Sequence, residues 1–317
     1  MTPDDLLTVT LNPTIDLSSS VAEVRPGPKL RCAPPLVEPG GGGLNVARAI
    51  ALLGGTARAL VAVGGATGDR LLSLLTEVGV PSVAMTAPGE TRQSLAVTDR
   101  TTGGQYRFVL PGPAWGPADV ETALAAIATA AREGGIVVLS GSQPPGVPED
   151  FPLRLARRLQ GRARLIVDTS GGPLRALAEG GHDAAPWILR MDSDEAEELA
   201  GQALPTAADS ARLAAGMVAQ GVAGVVILAR GAEGAVLAAP GLRLFAPNAP
   251  VEVVSRIGAG DSFVGALALS LARGEGLAAA LSHGNAAASA AVITEGTRLC
   301  RREDVVRLLP ECAAREV

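Results

Sequence analysis

Residues 258–265 read Gly-Ala-Gly-Asp-Ser-Phe-Val-Gly, and an Ala/Leu-rich helical pattern, Ser262 to Arg273, follows at once. Glycines at such a turn let the backbone curl until successive N–H groups point into one concavity. The helix behind adds unpaired N–H groups and the positive end of its dipole, so the turn favours an anion. Asp261 stands at the edge of that anion hole, where a carboxylate can face the hydroxyl of a bound alcohol. Phosphoryl transfer to an alcohol needs this pair, an anion hole and a base beside it. The octapeptide alone also allows a plainer reading, with Asp261 as a helix N-cap, because Asp is among the commonest caps.

Outward from this stretch, short apolar β-branched runs alternate with Ala/Leu-rich helical patterns. Strands are predicted at Leu6–Leu11, Ala59–Val63, Ile136–Ser140, Leu165–Asp168, Trp187–Arg190 and Val225–Ala229. Helices are predicted over Asn45–Leu53, Asp69–Val78, Pro117–Arg132, Glu149–Gln160, Ser193–Ala200, Ala207–Gln220 and Gly276–Ile293, besides the one after Asp261. This order implies an α/β fold, a mostly parallel sheet between helix layers, with ligands gathered at the carboxyl ends of the strands. Two segments, 17–39 and 83–111, carry extended alternating residues (Leu95-Ala-Val-Thr98, Gln105-Tyr-Arg-Phe-Val-Leu110) and no helical period. They are expected to pair as a small β lid, leaving 1–16, 40–82 and 112–317 as the core.

Composition sets the outer limits. An apolar content of 47% with 19% charged residues is ordinary for a globular chain of 317 residues with a sizeable core. A net charge of −5 and an aromatic content of 2% argue against nucleic-acid binding, which wants basic patches and stacking rings. Cys32, Cys300 and Cys312 are odd in number and lack metal-ligand spacing, so neither a disulfide framework nor a zinc site is expected. His182 and His283 are the only histidines, too few for His-based metal or triad chemistry. The acidic start, Met-Thr-Pro-Asp-Asp, has no signal-peptide pattern, and no stretch reaches about 18 apolar residues, so no membrane contact and a cytoplasmic location are expected.

Other constellations carry chemistry. In Pro39-Gly-Gly-Gly-Gly-Leu-Asn-Val-Ala-Arg48, bare backbone leads straight into a helix opened by Asn45, suiting close approach of a hydroxylated ligand. A flexible loop with an Asn cap is the alternative. Asp16, just after the first strand, can accept two sugar hydroxyls or serve as a turn residue. Lys29 and Arg31 are two apart and so share a face of any strand, while Arg92 and Arg107 lie in the second lid segment. Converging on one ligand they make a phosphate clamp; singly, each is an ordinary surface charge. The chain has neither a Gly-x-x-x-x-Gly-Lys-[Ser/Thr] loop nor Gly-x-Gly-x-x-Gly, so phosphates must be cradled another way.

Together, Gly-Gly-Gly-Gly-Leu-Asn-Val-Ala-Arg (40–48) and Gly-Ala-Gly-Asp-Ser-Phe-Val-Gly-Ala (258–266) resemble the PfkB-type carbohydrate kinases of the ribokinase superfamily. The likeness covers essentially the whole chain. Lys29-Leu-Arg-Cys32, Thr91-Arg-Gln93, Ser140-Gly-Ser-Gln-Pro-Pro-Gly146 and Glu295-Gly-Thr-Arg-Leu-Cys300 make it similar, within that family, to the minor bacterial type of 6-phosphofructokinase. The resemblance implies a ribokinase-like three-layer α/β/α sandwich with a β-sheet lid. It implies transfer from ATP, with Mg²⁺, to the 1-hydroxyl of fructose 6-phosphate. Asp261 would take the proton, and N–H groups of Gly258, Ala259 and Gly260 would meet the transferring group. Asp16, Gly41, Gly42 and Asn45 would hold sugar hydroxyls. Lys29, Arg31, Arg92 and Arg107 would approach the substrate phosphate, with Ser142 nearby. On the nucleotide side the resemblance implies Arg190, Asp192, Ala229, Gly231 and Gly234, with Asn285 and Ser289 at the adenine wall. Asp192 and Glu195 would organise Mg²⁺ through water. Ser255, Ile257, Ala291, Thr294, Gly296 and Arg298 fall where relatives bind K⁺. A homodimer through the lid is expected, because an exposed lid edge invites pairing.

Two departures from the family pattern stand out. Lys-Pro-Asn-x-x-Glu reads Arg190-Met-Asp-Ser-Asp-Glu195 here, and the added negative charge of Asp192 should repel triphosphate unless a metal intervenes. The usual [Ser/Thr]-x-Gly-x-x-Gly reads Ala229-Arg-Gly-Ala-Glu-Gly234, without its hydroxyl. Tagatose 6-phosphate and fructose 1-phosphate are the alternative acceptors, a plain sugar or nucleoside having no use for the clamp. A catalytically weakened sugar-phosphate sensor is the reading from a different class.

Overall fold

Apart from Thr8 and Thr10 in the first, the predicted strands are filled between their end residues by Val, Ile, Leu and Ala without polar alternation, the mark of strands covered on both faces. The computed structural model describes residues 5–181 and 183–317, so Met1–Asp4 and His182 lie outside the described residues. Along the chain the first strands are β1 (Leu6–Thr10), β2 (Thr14–Val21), β3 (Leu36–Gly40), β4 (Arg58–Val63), β5 (Ser82–Thr86), β6 (Arg92–Asp99) and β7 (Gln105–Val109). Then come β8 (Ile136–Ser140), β9 (Arg164–Asp168), β10 (Ile188–Met191), β11 (Val225–Ala229), β12 (Gly234–Ala239), β13 (Leu242–Pro247) and β14 (Arg315–Glu316). The large sheet runs β14-β13-β12-β11-β10-β9-β8-β1-β4-β5, parallel from β5 to β11 and antiparallel beyond. A second sheet, β3-β2-β6-β7, forms the lid.

Successive residues of the parallel strands point to opposite faces. Leu6, Val61, Ile136, Val138, Ile166 and Ile227 enter one core with α1 (Gly42–Leu52), α2 (Gly65–Glu77), α8 (Ala259–Ala272), α9 (Leu277–Val292) and α10 (Arg302–Leu308). Val9, Leu60, Val137, Leu139, Val167 and Val226 enter the other, with α3 (Pro117–Ala130), α4 (Phe151–Leu159), α5 (Gly171–Ala178), α6 (Ser193–Ala200) and α7 (Ala207–Ala219). The chain leaves β1 for β4 on one side and returns to β8 on the other. Such a switch point opens a crevice at the carboxyl ends of the strands. No helix among the described residues is long and apolar enough to cross a membrane.

Several boundaries differ from the sequence expectation. β5 pairs with β4 in the large sheet, so residues 83–86 are core rather than lid, and Thr14–Asp16 and Gly40 are lid rather than core. As an edge strand with alternate residues exposed, Ser82–Thr86 reads like the half-buried lid strands after it. β12 and β13 were absent from the predicted strands because Gly234-Ala-Val-Leu-Ala-Ala is poor in β-formers, although both its faces are buried. Helices α5 and α10 are additional too.

Three helix starts move upstream, that of α2 from Asp69 to Gly65 and two at the site. α8 begins at Ala259 on Gly258 as N-cap, with φ +77°, which leaves Asp261 in the first helical turn and not at the cap. α1 begins at Gly42 on Gly41, with φ +117°, so Asn45 is likewise inside the helix. These helices pack face to face where Gly265 meets α1: a Cβ there would stand 2.8 Å from Ala49 Cβ and 3.1 Å from the Val46 carbonyl oxygen. Gly265→Val should therefore lower stability by about 1–3 kcal/mol through overpacking. Urea unfolding followed by circular dichroism checks this, and an unchanged midpoint would show that the helices separate without cost.

Candidate active site

Asp261 and Asn45 sit on different helices, yet Asn45 Nδ2 donates to Asp261 Oδ2 at 2.9 Å. The Asn45 amide is itself oriented, since Arg48 Nη1 donates to Asn45 Oδ1 at 3.3 Å and to the Pro39 carbonyl at 3.2 Å. Arg48 Nη2 is paired with Glu38 at 2.7 Å, and Thr297 Oγ1 donates to the other Glu38 oxygen. A continuous chain of polar contacts thus runs from the 293–298 loop through lid strand β3 and helix α1 to Asp261. Burial raises the Asp261 pKa to about 6, helped by the nearby Asp168 carboxylate and opposed by Asn45, Arg190 and Arg48.

Asp168 ends β9 at the same rim. It accepts from Ser140 Oγ at 3.1 Å and from Arg190 Nη1 at 3.1 Å. Desolvation disfavours the buried Arg190 charge, but Asp168, Glu195 and Asp192 outweigh it and hold the guanidinium above its ordinary pKa. Gly260 faces this group, a Cβ there standing 3.5 Å from the Arg190 nitrogens.

Two clefts flank the N-terminus of α8. The first, about 440 Å³, lies under the lid and reaches Asp16, Asn45, Arg92, Arg107, Gly258 and Asp261. Asp16 is raised above its ordinary pKa by burial and by Glu38, against the lowering of Thr14, Arg92 and Arg107. Arg92 is lowered by burial while Asp16 supports its charge. Its Nε and Nη2 donate to the Asn12 carbonyl at 3.3 and 3.1 Å, and its Nη1 to the Leu110 carbonyl at 3.3 Å. The second cleft, about 570 Å³, reaches Arg190, Asp192, Ala229, Gly231, Gly260 and Asn285. Both volumes suit small organic ligands.

Other expected site residues are placed differently. Lys29 and Arg31 lie exposed in the 22–35 loop, outside any strand and off the walls of both clefts. Pro26, Pro28, Pro34 and Pro35 deprive that loop of ladder donors, so the shared-face argument does not apply. Gly42 and Gly43 press closely on protein: a Cβ at Gly42 would lie 2.5 Å from Ser140 Oγ, and one at Gly43 2.3 Å from the Val9 carbonyl oxygen. Gly41 alone of these lines the first cleft. Ser142 Oγ is engaged by Asn12 Nδ2 at 3.1 Å and stands off both clefts.

Asn285 and Ser289 line the second cleft together with Gly234. Asn285 donates to the Ala246 and Pro247 carbonyls, and Ser289 Oγ accepts from Ala249 N–H at 3.1 Å. Asp192 and Glu195 form a reciprocal capping box on α6, Asp192 Oδ1 accepting from Glu195 N–H at 2.9 Å and Glu195 Oε2 from Asp192 N–H at 2.8 Å. Glu195 is raised mainly by burial. Among the described residues no three His, Cys, Asp or Glu side chains are grouped to hold a metal directly. A Mg²⁺ that keeps its waters and leans on one or two carboxylates and on substrate phosphates fits this donor set, with Asp192 on the cleft wall.

The 253–257 and 293–298 loops are stitched together. Ser255 Oγ donates to the Gly296 carbonyl at 2.8 Å and accepts from Ile257 N–H at 3.2 Å. Thr294 Oγ1 bridges the Ala291 and Arg298 carbonyls at 2.8 and 2.7 Å. Asp168, Glu38, Arg48, Thr297 and Arg256 are polar groups that sequence reasoning left out. Only Asp168 carried a signal, as the last residue of a predicted strand.

The sequence profile of the pfkB family carbohydrate kinases matches residues 9–304. ATP-dependent 6-phosphofructokinase isozyme 2 of Mycobacterium tuberculosis is 40% identical over 303 residues, covering 95% of this chain and 88% of the relative. The crystal structure of Escherichia coli phosphofructokinase-2 in complex with potassium superposes with a TM-score of 0.89 at 38% identity, over 96% of this chain and 98% of that one. The same protein in complex with fructose 6-phosphate gives a TM-score of 0.87 at 36% identity, over 97% and 98%. The fold, the glycine-capped start of α8 and these similarities coincide: the chain belongs to the pfkB family of carbohydrate kinases.

Proposed function

We propose that the protein transfers the terminal phosphoryl group of ATP to the 1-hydroxyl of fructose 6-phosphate, giving fructose 1,6-bisphosphate and ADP. The observation that carries this reading is the position of Asp261, on the wall of the lidded cleft at the glycine-capped N-terminus of α8, with Arg92 and Arg107 on the same cleft. The 6-phosphofructokinase relatives support the acceptor. Asp261 accepts the hydroxyl proton while Asn45 occupies one of its oxygens and leaves the other to the sugar. N–H groups of Gly258, Ala259 and Gly260 donate to the transferring group. A positioned base contributes about 10²–10⁴ in rate and each such donor about 10²–10³.

Asp16, Gly41 and Asn45 orient sugar hydroxyls, and Arg92 with Arg107 meets the substrate phosphate. Arg190, Gly231 and Gly234 face the nucleotide, while Asn285 and Ser289 shape the adenine side by bracing residues 246–249. Asp192, fixed by Glu195, would hold the waters of a Mg²⁺, which would supply neutralisation of phosphate charge. The stitched loops and the end of α9 supply backbone carbonyls for K⁺ at Ser255, Ile257, Ala291, Thr294, Gly296 and Arg298, a reading supported by the potassium complex of the E. coli relative. The reaction belongs to the cytoplasm, where both substrates are made and used.

A homodimer through the lid completes the reading. Tyr106, Phe108, Val109 and Leu110 leave 43–60% of their surface exposed on β7 and just beyond, an apolar strip on an edge strand.

A coupled ADP-release assay with Mg²⁺-ATP against fructose 6-phosphate, tagatose 6-phosphate, fructose 1-phosphate and fructose tests the acceptor. Turnover confined to fructose 6-phosphate is expected; preference for another sugar phosphate would transfer the assignment, and silence on all of them would favour a sensor. Asp261→Asn should lower kcat by about 10²-fold or more with sugar-phosphate binding retained. Because the base must be ionised, kcat/KM should fall as pH drops through about 6; a flat profile from pH 5 to 8 (roughly the span over which such a base titrates) would remove Asp261 from that role. In Arg48→Met the acidic limb should move to higher pH, since the guanidinium that lowers the Asp261 pKa is gone. A limb that stays in place would mean Arg48 is purely structural. Tyr106→Asp should shift the protein to monomer in sedimentation velocity, and an unaltered dimer would locate the interface elsewhere.

A further inference from the structure

Among the described residues, Arg256 alone lies on the walls of both clefts. The backbone around it is fixed: Ser255 N–H donates to the Val292 carbonyl at 3.1 Å, Ser255 Oγ to that of Gly296, and Ile257 N–H back to Ser255 Oγ. Two residues on, Gly258 caps α8. The Arg256 side chain, by contrast, is exposed and engages no hydrogen-bond or ion-pair partner among the described residues. A pinned backbone carrying an unengaged guanidinium at the boundary between two ligand clefts is an arrangement suited to a ligand spanning both.

We propose that Arg256 is a catalytic residue that stabilises the phosphoryl group while it passes between the clefts. The assignment rests on the kinase reading above. In the transfer, the acceptor oxygen forms a bond to the γ-phosphorus and the bond from that phosphorus to the β–γ bridging oxygen breaks. The electron pair departs with ADP, and the acceptor proton passes to Asp261. Only during this passage does one group span both clefts, with charge spread over its equatorial and bridging oxygens. A planar fork of N–H donors suits those oxygens. Arg92 and Arg107 line the acceptor cleft alone; Arg190 lines the nucleotide cleft alone and is already paired with Asp168. Contact made chiefly in the transition state raises kcat and leaves ground-state binding nearly unchanged.

The test compares wild type, Arg256→Ala, Arg256→Gln and Arg256→Lys, each first checked for a wild-type thermal midpoint. Expected is a fall in kcat of about 10²-fold or more for the Ala and Gln variants and a smaller one for Lys. Both KM values should stay within about threefold of wild type, as expected when a transition-state contact is lost. Added guanidinium chloride should raise turnover of the Ala variant and not of Asp261→Asn. If kcat in the Ala variant stays near wild type, the assignment is wrong. A rise in KM for the sugar phosphate with kcat intact overturns it in favour of ground-state binding. A wild-type protein silent on every sugar phosphate sinks the kinase reading and this assignment together, whereas an active wild type with an unaltered Ala variant sinks this assignment alone.

Discussion

The close approach of α1 to α8 is the constraint on which the site depends. Gly265 removes the side chain that would hold the helices apart, and Gly43 lets the start of α1 press on the Val9 carbonyl of β1. With both helix starts seated this deeply, Asn45 reaches Asp261. Burying a carboxylate beside a second one is unfavourable unless donors and cations compensate. Asn45, Arg190 and Arg48 supply part of that compensation, and the balance leaves Asp261 near pKa 6. Such a base is mostly ionised at neutral pH and still able to hold a proton.

The central strands were legible because burial on both faces leaves an uninterrupted apolar run. Ile136–Ser140 and Val225–Ala229 match their predicted bounds. Helix starts were less legible where a positive-φ glycine caps them: Gly258 is in the left-handed region more often used to end helices, and Gly41, at φ +117°, is in a region open mainly to glycine. Periodicity therefore located α1 and α8 but began them late. The site divides the same way. Asp261, its glycines and Asn45 are encoded locally and were visible. The Glu38–Arg48 pair depends on β3 lying antiparallel to β2, with Glu38 opposite Asp16. No local pattern announces that register. The spacing argument for Lys29 and Arg31 fails for the converse reason, since it needs a strand and prolines had removed it.

The acidic departure at Asp192 looks different in three dimensions. Its carboxylate caps α6 through Glu195 N–H, where the helix dipole favours a negative charge. Arg190 stands among Asp168, Asp192 and Glu195, so the extra acid joins a set already organised around one buried cation. The repulsion expected from sequence is thus partly absorbed within the protein before any phosphate arrives.

Arg92 fastens two of the crossings between large sheet and lid, at Asn12 and at Leu110, with the same guanidinium that faces the acceptor cleft. Those donors are finite in number. A phosphate that recruits the N–H groups already committed there loosens the crossings, and crossings held tightly weaken that contact. Lid stiffness and acceptor affinity are then reciprocally linked quantities. Any solvent condition that softens the hinge will register as a change in affinity, even though it acts on no atom of the sugar.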